Sequence, residues 1–442
     1  MSKKLRDWLF LAFIFLFIIM SVVTSLFASG YRFNLSWPLR LDRLLQKTGT
    51  LAVATEPKDA YIFLDDRPQR RTAFSLMKKD YLSTPAKIKN LLPGEYILRF
   101  EKENYWPLER KIKIESGQTT FAENINLFLS DLPILIQAST SSKISLSADK
   151  NYLYLQSSGK IIDLKSGLES SLSASAEVEP YWLGNGSRLF TEGTIIDLNK
   201  GTSVDIASAI GTDISSWQYS YYDGRIYYSR PGSISRLEID NKTSKIIVQG
   251  EDYITYEPRN DKIFFVVIND NKVWLRGQTI INSEKVGELE LPTAGKYKFC
   301  NGNAKYLCLH DSNNATLYLI NPNDWKDAAV IKNAKSWFWI NDNELIYNDN
   351  WEISIFKLNG KGSELITRFG EPISEVVWHK NSGYFIFSTD KSIHIGDPKN
   401  AETITIFKTE SVGPMALDEK NDLLYFYAKI SQQEGIHKLQ LQ

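Results

Sequence analysis

The chain has 442 residues, with 52 Lys plus Arg against 52 Asp plus Glu, and it is 43% apolar and 24% charged. That balance excludes a disordered chain and a generally basic nucleic-acid binder, and the length allows two or three domains. Two cysteines exclude a disulfide-stapled scaffold, and four histidines leave little material for a metal or acid–base site.

The zero net charge hides an asymmetry. Residues 1–113 hold 20 Lys/Arg and 11 Asp/Glu, a net of +9 that residues 114–442 cancel. Such polarity suits a near end facing a membrane or an anionic polymer and a far end facing solvent. A solvated loop face explains it equally simply.

Residues 8–31 carry no charge, and residues 9–26 are almost wholly Leu, Ile, Phe, Val, Ala and Met. As a helix this stretch crosses ~30 Å of hydrocarbon. Lys3, Lys4 and Arg6 precede it, so the amino end is expected in the cytoplasm and the rest of the chain outside. A cleaved signal peptide is the alternative. The long apolar stretch, and Leu26 at the position two before Ala28, favour an uncleaved anchor.

Residues 31–48 read as a juxtamembrane stem, where Leu39, Leu41, Leu44 and Leu45 suggest one or two helical turns. The pattern then changes to period two. Strands are expected at residues 50–55, 60–65, 96–102, 111–115 and 121–129, separated by turn chemistry at Pro57, Asp65-Asp66, Pro93-Gly94 and Ser116-Gly117. The expectation is a small antiparallel sandwich over residues 49–129.

The order Gly49-Thr50-Leu51, Glu56-Pro57-Lys58-Asp59-Ala60, Thr84-Pro85, Leu92-Pro93-Gly94-Glu95-Tyr96, Asn104-Tyr105 and Gly117 resembles the PEGA domain. Tyr96 stands where the family has Ala. The resemblance implies an immunoglobulin-like accessory module of exported bacterial proteins, with a spacer or adhesive role and no catalysis. Pro57 is expected to end the first strand, and Gly94 to supply backbone freedom at the entry to a later one. Where the family has a short loop, this chain inserts residues carrying Arg67, Arg70, Arg71, Lys78 and Lys79 among Phe74, Leu76, Met77 and Tyr81. The five cations are the candidate binding residues, for anionic polymer, lipid headgroups or a partner. The preferred, blander reading is a loop whose apolar residues fold back on the sandwich.

From about residue 132 the chain repeats itself. Residues 159–167 (GKIIDLKSG) and 193–201 (GTIIDLNKG) share six of nine positions at an offset of 34. Looser copies follow, each with a polar turn before an aromatic-rich strand. The strands are expected at residues 152–156, 188–191, 225–229, 262–267, 305–309, 344–348, 384–388 and 423–427, and their Asn, Asp and Gly turns suit hairpins. Eight units of about 38 residues fit a ring of four-stranded blades, which typically take ~40–45 residues each. The unit resembles the TolB-like or WD40-like propeller repeat, most closely at Ser147-Ala148-Asp149-Lys150-Asn151-Tyr152. The fold class expected is therefore all-β: an N-terminal transmembrane helix over residues 1–30, a stem, a PEGA-like sandwich over 49–129, and a propeller of seven to eight blades over 130–442. The last unit lacks a strand, and residues 132–137 are free to supply it and remove two exposed edges.

Chemistry is sparse. His310, His379, His394 and His437 fall in different units at unlike positions, and no Gly-x-Ser-x-Gly elbow, phosphate loop or calcium loop is present. No cofactor, metal ligand or catalytic residue is assigned. With a four-residue loop after it, Cys300 faces Lys305, which leaves Cys308 too far along the ladder for a disulfide; two reduced thiols are expected. The many Trp and Tyr side chains are expected to pack between blades, with some stacking on sugars or peptides at a face. The leading expectation is a non-catalytic, single-pass protein of a bacterial envelope, with the sandwich as spacer or wall contact. Its propeller is a platform for an envelope protein, glycan or anionic polymer, without nucleic acid. A propeller lactonase or quinone-dependent dehydrogenase with a tunnel site is the alternative, and a sensor or assembly factor a third.

Overall fold

The computed structural model describes residues 3–33, 44–71, 81–140, 143–171, 180–184, 186–211, 213–238, 243–300 and 302–442, with the backbone alone for residues 3–5. It divides into two units, residues 1–131 and 132–441. Each is described by itself.

The first unit opens with one helix, Lys3–Ala28. Of it, Arg6–Ala28 is long and apolar enough to cross a membrane, and its Phe10, Phe13, Phe15 and Phe17 are exposed. A two-stranded ribbon follows, Tyr31–Phe33 antiparallel to Leu45–Lys47. Leu45 is thus in a strand rather than in the helical turn expected of the stem; Leu39 and Leu41 lie outside the described residues. Arg32 anchors the junction by stacking 3.7 Å over the Phe27 ring and donating to the Phe27 and Tyr31 carbonyls.

Beyond the ribbon two sheets face each other. One orders Ala86–Leu91, Gly49–Glu56 and Thr119–Asn126; the other orders Arg67–Pro68, Tyr61–Leu64, Gly94–Glu101 and Leu108–Ile114. Alternation puts Leu51, Val53, Ile62, Leu64, Leu98, Phe100, Ile114 and Ile125 in the core between them. Two features differ from the expected antiparallel set. Gly49–Glu56 and Thr119–Asn126 pair in parallel, because the first and last strands of the sandwich run side by side in the same direction. Ala86–Leu91 is a further strand whose only buried apolar side chain is Ile88, too little alternation to read from sequence.

The glycine roles also differ from expectation. Gly94 begins its strand without a left-handed φ, and a Cβ there would meet nothing closer than Tyr96 Cε2 at 3.9 Å. The demanding position is Gly49, where a Cβ would stand 2.5 Å from the Glu115 carbonyl. The corner after the first strand is held by Thr84, whose Oγ1 accepts from the Ala60 N–H at 3.1 Å and lies 2.6 Å from the Thr55 hydroxyl.

Among the described residues, the second unit contains eight four-stranded antiparallel sheets. They are numbered blades 1 to 8: residues 144–171, 181–205, 216–249, 253–291, 297–331, 336–368, 373–408 and 411–440, the last joined by Ile134–Ala138. The eight aromatic-rich strands expected from sequence are the second strands of these blades. First strands touch first strands in neighbouring blades, so they form the inner ring. Apolar clusters join blades 1–2, 2–3, 3–4, 4–5, 5–6, 6–7 and 8–1. Blades 7 and 8 meet through Phe407 and Phe426, 5.6 Å apart, and through the Met415 N–H donated to Glu375 at 2.9 Å. The ring closes as the sequence suggests: Ile134–Ala138 pairs with Gln433–Gln440 as the outermost strand of blade 8.

The repeat has a local cause. Gly159, Gly167, Gly193 and Gly201 all have φ between 61° and 82°, the region a side chain disfavours. Between each pair, Asp163 or Asp197 ends the third strand and its Oδ1 accepts the backbone N–H of Lys165 or Lys200.

Candidate functional site

The tryptophans mostly pack where expected. Trp182, Trp217, Trp274, Trp325, Trp337 and Trp339 join the clusters between blades, and Trp378 is buried between blades 6 and 7. Trp351 is half exposed on a turn. The histidines stay apart. His310 lies 4.8 Å from the Trp337 ring, while Asp311 next to it accepts from the Lys296 N–H. His379 bridges Ser382 and Asp422, tying the turn of blade 7 to that of blade 8. Among the described residues, no group of three or more His, Cys, Asp or Glu is placed to share a metal ion.

Of the five candidate cations, Arg67, Arg70 and Arg71 are described and exposed. Arg67 lies on the edge strand Arg67–Pro68, opposite Leu64, beside a cleft of about 310 Å³ shared with Asp65, Gln69 and Tyr96. Arg70 bridges to Tyr81, whose ring packs edge-on against Tyr61 at 5.8 Å. Lys78, Lys79, Phe74, Leu76 and Met77 lie outside the described residues.

A second concavity lies on the propeller. At the end of the propeller where inner strands turn back into second strands, blades 3, 4 and 5 enclose about 340 Å³. Its walls are the ends of Ser216–Ser220, Tyr253–Arg259 and Tyr297–Cys300 and the turns that follow. Glu257 lines it and Arg259 stands behind. Each is 6% exposed, and they pair at 2.5 Å through Arg259 Nε and Glu257 Oε1. Burial pushes the Glu257 carboxyl up, against the pull of Arg259. Each nitrogen of the guanidinium has a partner: Nη1 donates to the Asn303 carbonyl at 3.1 Å and Nη2 to the Tyr306 carbonyl at 2.9 Å. It also lies 4.3 Å over the Tyr222 ring. Tyr222 donates its hydroxyl to the same Asn303 carbonyl, and burial, with Glu257 nearby, raises that hydroxyl to about 12.

The turn that supplies these carbonyls is held at its base. Cys300 and Cys308 are directly opposite in the ladder and form a disulfide with Cα atoms 5.2 Å apart. The expectation of two reduced thiols is therefore corrected. Cys300 pairs with Cys308 rather than with Lys305, so the connection between paired residues is three residues longer than the four-residue loop assumed, and the register shifts to bring the sulfurs together. Within the turn the Asn303 side chain accepts the N–H groups of Lys305 and Tyr306 and donates to the Asp342 carbonyl of blade 6. Gly302 lets Arg259 approach, since a Cβ there would lie 2.6 Å from Nη2.

None of Tyr221, Tyr222, Glu257 or Arg259 was a sequence candidate. The one local signal is Glu257 and Arg259 two apart on an inner strand, where period two aims both charges to one side.

Residues 48–127 match the family model of the PEGA domain. The small sandwich is a PEGA domain. No characterised protein sequence matches the chain. Among solved structures, a Dos1 propeller is 13% identical, with a TM-score of 0.46 over 68% of this chain and 93% of its own. An oligogalacturonate lyase in complex with manganese is 10% identical, with a TM-score of 0.36 over 56% and 82%. Hsv2p of Kluyveromyces lactis is 13% identical, with a TM-score of 0.35 over 52% and 75%. The propeller itself stands on its eight sheets and their closure.

Proposed function

We propose that this chain is a single-pass protein of a bacterial envelope, with its PEGA domain and propeller outside the cytoplasm. The PEGA domain is a spacer that presents Arg67, Arg70 and Arg71 to an anionic surface, and the propeller is a non-catalytic binding platform. The Cys300–Cys308 disulfide carries this reading: such bonds persist in oxidising compartments and are rare in the cytosol. The apolar helix with Lys3, Lys4 and Arg6 at its amino end supports the same orientation.

The two cysteines are the only ones in the chain, so thiol labelling of the full-length protein in spheroplasts tests the proposal. A membrane-impermeant maleimide should label it only after a reductant is added to intact spheroplasts. Labelling that requires lysis would place the propeller in the cytosol, and labelling without reduction would show that the disulfide carrying the reading is not formed; either result would defeat the proposal.

A further inference from the structure

The cavity between blades 3, 4 and 5 has a chemistry more specific than a general platform. Its one anion, Glu257, is compensated by Arg259, whose three nitrogens each donate, one to Glu257 and two to carbonyls. An acidic ligand would meet the Glu257 carboxylate at the wall, in front of the guanidinium that compensates it. A cationic one would meet the guanidinium directly behind it. The remaining wall is aromatic and neutral-polar. Tyr219 and Tyr221 pack edge to face at 5.0 Å, and Tyr221 is 57% exposed at the rim. Gln218 is held by the Tyr181 hydroxyl at 3.0 Å, and Ser220 donates to the Pro258 carbonyl. At about 340 Å³ the space is at the small end of ligand sites, which run ~300–1,000 Å³.

A ring with an apolar C–H face and a hydroxylated edge matches both halves of this wall. The face stacks on tyrosine, and the hydroxyls donate to the Glu257 carboxylate, which has acceptor lone pairs beyond the one bond it takes from Arg259. We propose that this cavity binds a neutral sugar, in mono- or disaccharide size, with Tyr221 as the stacking platform and Glu257 as the acceptor. The proposal rests on reading the propeller as a binding platform and narrows the ligand to carbohydrate. The disulfide and Asn303 fix the turn that holds Arg259, so the site is formed before the ligand arrives.

The test uses the full chain in a sugar-free detergent, with saturation-transfer NMR against glucose, N-acetylglucosamine, cellobiose and chitobiose. Glucuronate and arginine methyl ester serve as charged probes. At least one neutral sugar should bind saturably and both charged probes should not. Tyr221→Ala should weaken that binding at least tenfold without moving the thermal midpoint, and Tyr221→Trp should retain it. Binding of no neutral sugar, equal binding of a charged probe, or indifference to Tyr221→Ala would overturn the proposal. Thiol labelling in spheroplasts is independent of all these outcomes, so failure here is separable from failure of the topology.

Discussion

His394 shows how a single residue in this fold acquires a pH dependence without a catalytic role. It sits in blade 7 with Nε2 2.7 Å from Ser392 Oγ and Nδ1 3.0 Å from Thr405 Oγ1. Phe387 stacks on it at 4.7 Å and Phe369 packs at 4.4 Å. Burial in this setting lowers the imidazole from 6.5 to about 4, with Lys408 adding to the shift and Glu371 opposing it. The folded state keeps the ring neutral while the unfolded chain takes up a proton. The contribution is therefore complete above pH 6.5 and is lost as pH falls towards 4. The thermal midpoint should decline across that window, and His394→Gln should flatten the decline. His379 and His437, also lowered by burial, leave a residual slope in the variant, so the difference between the two titrations reports His394. An identical slope in both proteins would refute the assignment. Nothing in Ser392-Ile393-His394-Ile395 announces this environment, because Phe387 arrives from the neighbouring strand and Phe369 from just past the end of blade 6. The turn aspartates are the opposite case. Asp163 and Asp197 act on their own backbone neighbours, so their spacing carries the information.

Among the elements, the hairpin of blade 5 shows where sequence reading loses its grip. The Asn–Gly–Asn turn is legible as a turn, and an aromatic strand on each side is legible as a strand. Loop length is not, because Asn303 and Gly302 owe their conformation to Arg259 and blade 6 rather than to each other. A shift of three residues along the ladder then separates the cysteines on paper and joins them in the fold. The same dependence on neighbours hides the parallel pairing of the sandwich, since its two strands are distant in sequence. Replacing both cysteines by alanine should cost about 2 kcal/mol, the loop-closure value for so short a ring, measured by urea denaturation. Amide exchange should accelerate in residues 302–306, and reductant should affect only the parent protein. Unchanged exchange in the variant would show that the Arg259 hydrogen bonds hold the turn unaided.

For the whole molecule, repetition is the legible quantity. Eight polar turns before eight aromatic strands give seven to eight blades, since each unit can bury its faces only against copies of itself, and the structure has eight. Closure is legible from the missing strand, because an unclosed ring leaves two sheet edges bare. The site on three blades is not, for it depends on turns from separate units meeting at one end.

The closing strand makes the ring's stability testable. Leu135 and Gln137 pair with His437 and Ile436, and the irregularity between them brings the Gln137 carbonyl against Gly435. A Cβ at Gly435 would stand 2.1 Å from that oxygen, so the edge admits this strand only with glycine there. Deleting residues 131–138 removes the outermost strand of blade 8 and exposes the Gln433–Gln440 edge. Apolar contacts of Ile136 with the cluster between blades 8 and 1 are lost together with the ladder. Several kcal/mol, at the low end of the roughly 2–4 °C each that holds for 150–250 residues because this unit is larger, predict a drop in thermal midpoint of about 5 °C or more. Gly435→Ala tests the same pairing without shortening the chain and should lower the midpoint in the same direction. The bare edge should also promote association, seen as a shift to larger species in size-exclusion chromatography. A midpoint unchanged in both variants would mean that the propeller is held by its inner ring alone and that the N-terminal strand is dispensable.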